Sequence, residues 1–397
     1  MKEVRIALPK YGISRYYAIA FIHLSSPHGL ESARIEENSM LVRARGKDAK
    51  KLLSESYLST KEILKKYAQS RISEGEKDKT MKKAKKILKG RVEVPMSGNE
   101  RNVFEEIKKE LKLKASASIV DLLDKYVSEL KLMNDSDIEE EYGRSDGDFS
   151  SISIFKPELY EYTRCPFPDE LNKSVIAGYD SEKLTLGGFM LRLSGFITSR
   201  VGISPIPGAD GRVEYVTTLV MPTVEGKIER SEFTTRLEGL RTLGRVPNLI
   251  SPEGVIIWLS LLLGRGSPDV AYIGMRNPGG QAPASIVYGE SLPLNDYMNR
   301  AKRFLSKVES DKRNAESIRK ALICEFPEKK SLFSKLFLGS QGDEKSALEF
   351  VLRVSRKVKG TDPNLIKGKS SREEYFAVRD LLYLSDDLIR SLKADRL

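Results

Sequence analysis

The period at which apolar residues recur changes twice along this chain, and that change constrains the fold more than any single motif. From Asp48 to Leu132 the spacing is helical, with Leu52, Leu53 and Tyr57, then Ile63, Leu64 and Tyr67, then Val103, Phe104 and Ile107, then Ile119, Leu122, Leu123, Tyr126 and Leu130. After Asn295 it is helical again: Tyr297, Ala301, Phe304, Leu305 and Val308 share one face, and Ala347, Phe350, Val351, Val354 and Val358 another. Between these regions sixteen of the 29 glycines fall from Gly187 to Gly289, interleaved with alternating runs such as 212–220, which read as strands joined by turns. The expected class is α+β. An N-terminal α/β section with a helical insertion occupies residues 1–134, an acidic linker 135–149, a glycine-rich mainly β domain 150–293, and a C-terminal antiparallel helical bundle 294–397.

Finer signals fill in these sections. Val4, Ile6 and Leu8 alternate with Glu3, Arg5 and Ala7, which predicts a strand over residues 2–8. The apolar run from Tyr16 to Leu24 fits a strand or a buried helix equally well. One apolar helix is expected inside the glycine-rich region, with Ser251 as N-cap, Pro252 at its first position and Gly264 just past its end, and Trp258 as a packing residue. The last helix opens on two overlapping capping boxes, Ser370 with Glu373 and Ser371 with Glu374, and presents Val378, Leu381, Leu382, Leu388, Ile389 and Leu392 at helical spacing.

Charge is concentrated rather than spread. The 397 residues hold 67 Lys and Arg against 56 Asp and Glu, a formal +11. The segment from Lys61 to Arg91 alone carries twelve basic and four acidic residues, with Lys79, Lys82, Lys83 and Lys86 along one face of a basic amphipathic helix. Such a face is either solvated or set against nucleic-acid phosphates, where it releases counterions; its apolar stripe is too thin for a membrane surface. A second basic run, 351–372, has seven basic residues against Asp362. From Asp135 to Asp148 the sign reverses, with seven acidic residues against Arg144; the spacing imitates a calcium loop, but Glu140 stands where that loop needs glycine and Asp146 where it needs a bidentate glutamate.

Several classes are excluded. The longest strongly apolar run, Val255 to Leu263, would reach only ~14 Å as a helix, against the ~30 Å of a bilayer core. No secretory signal opens the chain, and Cys165 and Cys324 are too few for a disulfide framework, so a cytoplasmic location is expected. His23 and His28 lie in one short stretch, which removes mechanisms that need several separate histidines. In Lys367-Gly-Lys-Ser370 a proline, Pro363, replaces the first glycine of a phosphate-binding loop, and Asp386-Asp387 lies within an amphipathic helix. No catalytic residue, metal ligand or cofactor is assigned from the sequence. Tyrosine and lysine are plentiful enough for a metal-independent ribonuclease, and a purely structural assembly protein is a third reading.

The middle region does carry a recognisable chemistry. Between Gly187 and Glu290 there are nine arginines and a single lysine, Lys227, in a segment of nearly balanced charge. Arginine suits planar, bidentate recognition of phosphate or of a guanine edge. Arg241, Arg245 and Asn248 flank a turn before the apolar helix, and Arg276, Asn277 and Gln281 surround a Pro-Gly-Gly loop that could enter a groove closely. These six are the expected base-reading residues. Lys82, Lys83, Lys86, Arg353, Arg356 and Lys357 are the expected phosphate contacts.

An opening strand, a lysine-rich helical insertion, a glycine-rich strand domain and a terminal bundle, together with the stretch Leu240-Arg-Thr-Leu-Gly-Arg-Val-Pro-Asn-Leu-Ile-Ser-Pro-Glu-Gly254, resemble the large subunit of the archaeal type I-A CRISPR Cascade complex. The resemblance implies a non-catalytic protein that binds guide RNA, probes the protospacer-adjacent motif on double-stranded target DNA, contacts backbone and small subunits, and helps recruit a helicase-nuclease. Reading of the remaining target would then be left to base pairing with the guide.

Overall fold

The computed structural model describes residues 2–9, 12–25, 29–46, 48–77, 98–144, 146–159, 183–208, 213–223, 232–276, 284–309, 312–361, 366 and 369–393. The expected opening strand is β1 (Glu3–Ala7), and the ambiguous apolar run that follows is a helix, α1 (Ile13–Ser25), buried along nearly its whole length. Strands β2 (Leu30–Ile35) and β3 (Ser39–Ala44) complete a three-stranded antiparallel sheet with β3 in the centre.

The helical section contains α2 (Ala49–Lys77), α3 (Gly98–Glu110) and α4 (Ile119–Leu132). The acidic stretch after it was expected as a linker and is instead, over most of its length, a packed helix, α5 (Asp135–Gly143). Asn134 accepts from the Asp137 amide at 2.9 Å and the Asp137 carboxylate accepts from the Asn134 amide at 3.0 Å, a reciprocal cap. Asp135 and Asp137 therefore sit in the first turn, where negative charge complements the helix dipole. Ile138 and Tyr142, four residues apart, are buried on one face. The Tyr142 hydroxyl bonds those of Tyr57 at 3.0 Å and Tyr126 at 2.8 Å, so a buried chain of three hydroxyls joins α5 to α2 and α4.

The glycine-rich region holds the expected antiparallel strands and the expected apolar helix, joined by two helices that turn-type glycines had concealed. Short strands β4 (Phe149–Ser150), β5 (Glu158–Leu159) and β6 (Lys183–Leu184) precede α6 (Leu186–Ser199). Gly195 is in α6 because α1 crosses there: a Cβ at that position would overlap the Tyr17 carbonyl oxygen. Strands β7 (Arg200–Pro207) and β8 (Val213–Pro222) form a hairpin; α7 (Glu232–Arg241) and α8 (Pro252–Leu263) follow; β9 (Val270–Arg276) and β10 (Ser285–Leu292) form a second hairpin. The resulting five-stranded sheet runs β5-β10-β9-β8-β7 and is antiparallel except where β5 joins β10. Ser251 does precede α8, but its side chain makes no capping bond; Gly264 ends the helix at φ +70°, against the Arg236 guanidinium, which donates to the Leu263 carbonyl at 3.0 Å.

Six helices make up the described C-terminal region: α9 (Leu294–Arg300), α10 (Lys302–Val308), α11 (Lys312–Ile323), α12 (Lys329–Ser340), α13 (Glu344–Lys359) and α14 (Lys369–Lys393). Helix α14 starts at Lys369, one residue before the expected cap, and Glu374 is engaged by Lys357 at 3.0 Å. Val378, Leu381 and Leu388 are buried as the spacing required. Buried Lys329 donates to the carbonyls of Leu322 at 3.1 Å and Cys324 at 2.9 Å, closing the C-terminus of α11 with a positive charge.

Candidate nucleic-acid interface

Antiparallel pairing brings the end of β7, the start of β8 and the end of β9 to the same end of the five-stranded sheet. The register pairs Pro207 with Val213 and Thr217 with Met275, so Val213, Glu214 and Tyr215 at the start of β8 lie beside Arg276 at the end of β9. Successive strand residues point to opposite faces. Glu214 therefore meets Arg276 on one face, at 3.6 Å, and Tyr215 lies on the other. Both partners of that ion pair are over one-third exposed, so it holds the arginine only weakly.

The face of Tyr215 carries Arg245. Residues 244–246 run alongside β7 as an added parallel segment: the Ile203 amide donates to the Gly244 carbonyl at 2.9 Å and the Val246 amide to the Ile203 carbonyl at 2.8 Å. Arg319 donates to the Arg245 carbonyl at 2.8 Å while its remaining nitrogens are clasped by the Glu316 carboxylate at 2.7 and 2.8 Å. The Arg245 backbone is thus fixed from two sides, and its exposed guanidinium sits 5.1 Å from the centre of the Tyr215 ring. Two of the expected base-reading residues, Arg245 and Arg276, are accordingly placed at one end of one sheet.

Two others are not available in this conformation. Arg241, the last residue of α7, is only 6% exposed; its Nη2 donates to the Thr198 carbonyl, while Nε and Nη1 are buried without a hydrogen-bond partner among the described residues. Burial pushes its pKa down to about 10, against a smaller opposing effect of Glu238. Asn248 is also buried and spans the sheet edge, donating to the Pro205 carbonyl at 2.7 Å and accepting from the Ile250 amide at 3.1 Å. Both residues shape the loop that carries Arg245. Asn277 and Gln281 lie outside the described residues.

The expected phosphate contacts divide in the same way. Lys82, Lys83 and Lys86 lie outside the described residues. In the described part of the basic segment, Lys61 pairs with Asp124 on α4 at 2.5 Å and Lys66 with Glu238 on α7 at 3.5 Å, joining helices, while Lys65 pairs with Glu62 within α2 at 2.9 Å. On α13, Arg353 pairs with Glu328 at 3.4 Å and Lys357 with Glu374 at 3.0 Å, the latter also lying 4.5 Å from the Phe326 ring. Arg356 is exposed and has no ion pair among the described residues.

Sequence reasoning missed Tyr215. Its strand was legible in the alternation of residues 212–220, but the exposed face of that strand depends on the register with β7 and β9. A run of such alternation ending beside Arg-rich loops was the available signal.

A family model described as CRISPR-associated protein, CsaX, matches residues 57–332, more than half of the chain. The chain belongs to the CsaX family of CRISPR-associated proteins. Searches of curated proteins and of solved structures return no match. The CsaX match gives the chain a role in a CRISPR system and makes other CRISPR components its partners. It spans the five-stranded sheet with Tyr215, Arg245 and Arg276, and it stops short of Arg353, Arg356 and Lys357. No described helix is long and apolar enough to cross a membrane.

Proposed function

We propose that this chain is a non-catalytic nucleic-acid-binding subunit of an RNA-guided DNA-interference complex of the Cascade type, in the place of the large subunit. In that role it contacts guide RNA and double-stranded target DNA and probes the motif adjacent to the target, alongside backbone and small subunits and a helicase-nuclease. The observation that supports it most directly is the placement of Arg276 and Arg245 on the two faces of one end of the five-stranded sheet, within a CRISPR-associated family. Arginine forks at a sheet end can reach base edges, and Asn277, next in the sequence after Arg276, has an amide side chain of matching chemistry. Phosphate contacts fall to Lys82, Lys83, Lys86 and Arg356, whose charge gives affinity without sequence.

Binding to labelled duplexes that differ only in the flanking motif tests this. Affinity falls steeply between 50 and 200 mM salt, by about 10³ or more if six phosphates are contacted. Replacing Arg276 and Asn277 with Ala removes the preference among motifs and leaves affinity for unpreferred duplexes within about threefold. Equal binding of parent and variant to every motif refutes base reading. Incubation with labelled RNA in EDTA addresses the ribonuclease alternative, and cleavage at a defined position overturns the non-catalytic role. Tyr17, Tyr57, Tyr126, Tyr142, Tyr272 and Tyr297 are fully buried and their hydroxyls are held well above the ordinary tyrosine range by burial, so that alternative would have to use exposed tyrosines such as Tyr215 and Tyr383.

A further inference from the structure

Tyr215 and Val213 are exposed apolar side chains on the same face of β8, at 45% and 59%, while Leu219 and Met221 farther along that face are fully buried. The sheet is therefore covered at one end and left open where Arg245 reaches over the tyrosine. The cation and the ring come from separate elements and are brought together by the added strand segment at β7. A superficially similar pair on α14, Arg379 above Phe376 at 4.7 Å, is a neighbour contact within one helix, and its guanidinium is occupied by Asp380 at 3.1 Å. Arg245 has no ion pair among the described residues, and its backbone is anchored by the Ile203 and Arg319 bonds.

A guanidinium over an aromatic ring, with no ion pair among the described residues, offers two things at once: a planar surface on which a nucleobase ring can stack and a fork for the phosphate attached to it. A base inside a duplex has both its faces covered by neighbours. Only an unpaired nucleotide can use such a surface, and Val213 extends it toward the adjoining sugar.

We infer that Tyr215, Arg245 and Val213 form a stacking platform for an unpaired nucleotide of a single strand. This rests on the nucleic-acid-binding reading above and narrows its ligand: base edges are read from Arg276 on one face of the sheet end, and a single strand is held on the other. The shared chemistry is a nucleobase ring followed by a phosphodiester, which RNA and DNA both supply.

The test uses the full chain with labelled twelve-nucleotide single strands, one RNA and one DNA, and a hairpin duplex. Tyr215→Ala weakens binding of at least one single strand by about five- to 150-fold, the range of one lost base stack, with an unchanged salt dependence. Tyr215→Phe keeps parent affinity, because it keeps the ring. Arg245→Gln weakens the same strand and lowers the salt slope by about one. Duplex binding moves less than twofold in the two Tyr215 variants. The strand that responds to Tyr215→Ala identifies the source of the nucleotide. Unchanged binding of both single strands by Tyr215→Ala and Arg245→Gln overturns the platform, and salt-dependent duplex binding by the parent then leaves the broader reading standing. Absence of salt-dependent binding by the parent overturns both. A thermal melt of each variant within about 2 °C of the parent separates lost contact from lost fold, and Arg245→Gln, altered only at an exposed side chain, carries the test if Tyr215→Ala melts early.

Discussion

Replacing Arg241 with Met should make the protein more stable. In the native fold this guanidinium is 6% exposed and, among the described residues, gives only Nη2 to a partner, the Thr198 carbonyl. Burial lowers its pKa from 12.5 to about 10, which corresponds to about 3 kcal/mol of penalty on the charged form. That penalty applies in full at neutral pH, below the folded value, where the unfolded chain is charged as well. The unpartnered Nε and Nη1 give an independent estimate of the same burden, about 1–3 kcal/mol each. Against this, the substitution forfeits one charged hydrogen bond, about 1.5–3 kcal/mol, and strands the Thr198 carbonyl. Met preserves the packing volume, so the net expectation is about 0–1.5 kcal/mol of stabilisation. At about 2.1 cal/mol/K per residue over 397 residues, that raises Tm by at most about 2 °C in a calorimetric melt. Arg241→Ala lacks the compensating volume and should melt below the parent. A fall of 2 °C or more for Arg241→Met would refute the reasoning, since it would mean that the guanidinium is fully paired in solution.

His23 is buried, with Nε2 unpartnered among the described residues, and burial lowers its pKa to about 4. Because the folded value lies below the unfolded one, its contribution is intact above pH 6.5 and about 3 kcal/mol is lost as pH falls from 6.5 to 4; His23→Gln should flatten a Tm–pH profile in that window. Gly195→Ala forces α1 away from α6 and should cost about 3 kcal/mol or more, whereas Gly239→Ala, with open space around the added methyl on α7, should stabilise by about 0.5–1 kcal/mol. Thermal melts of the two variants check the contrast, and a similar Tm for both would show that the α1–α6 crossing is looser than described.

Most of the class and ordering of elements was legible because amphipathic periodicity depends on which residues are apolar, not on what they touch. The α2, α4 and α14 faces follow directly from spacing, as does the single apolar helix bracketed by Pro252 and Gly264. Helix α6 was hidden because Gly187, Gly188 and Gly195 look like turn residues; they are there for contacts with Glu141, Thr185 and Tyr17, all distant or local partners that spacing does not reveal. The acidic stretch misled in the opposite direction. Its carboxylates cap and complement a helix start, and only the pair Ile138 and Tyr142 betrayed the buried side. In the candidate interface, residue type correctly drew attention to Arg245 and Arg276, but it could not separate them from Arg241 and Asn248. That distinction is one of burial, and burial at a sheet edge is decided by strand register.

The crossing of α1 with α6 also sets a timetable. Tyr17 and Gly195 are 178 residues apart in the chain, so at ~5–20 residues per second the ribosome needs about 10–35 s after completing α1 before its partner exists. During that interval a helix whose residues are almost all apolar or small has only its own three-stranded sheet and α2 to shelter it. The α1–α6 contact therefore forms late in synthesis and closes this part of the fold rather than starting it.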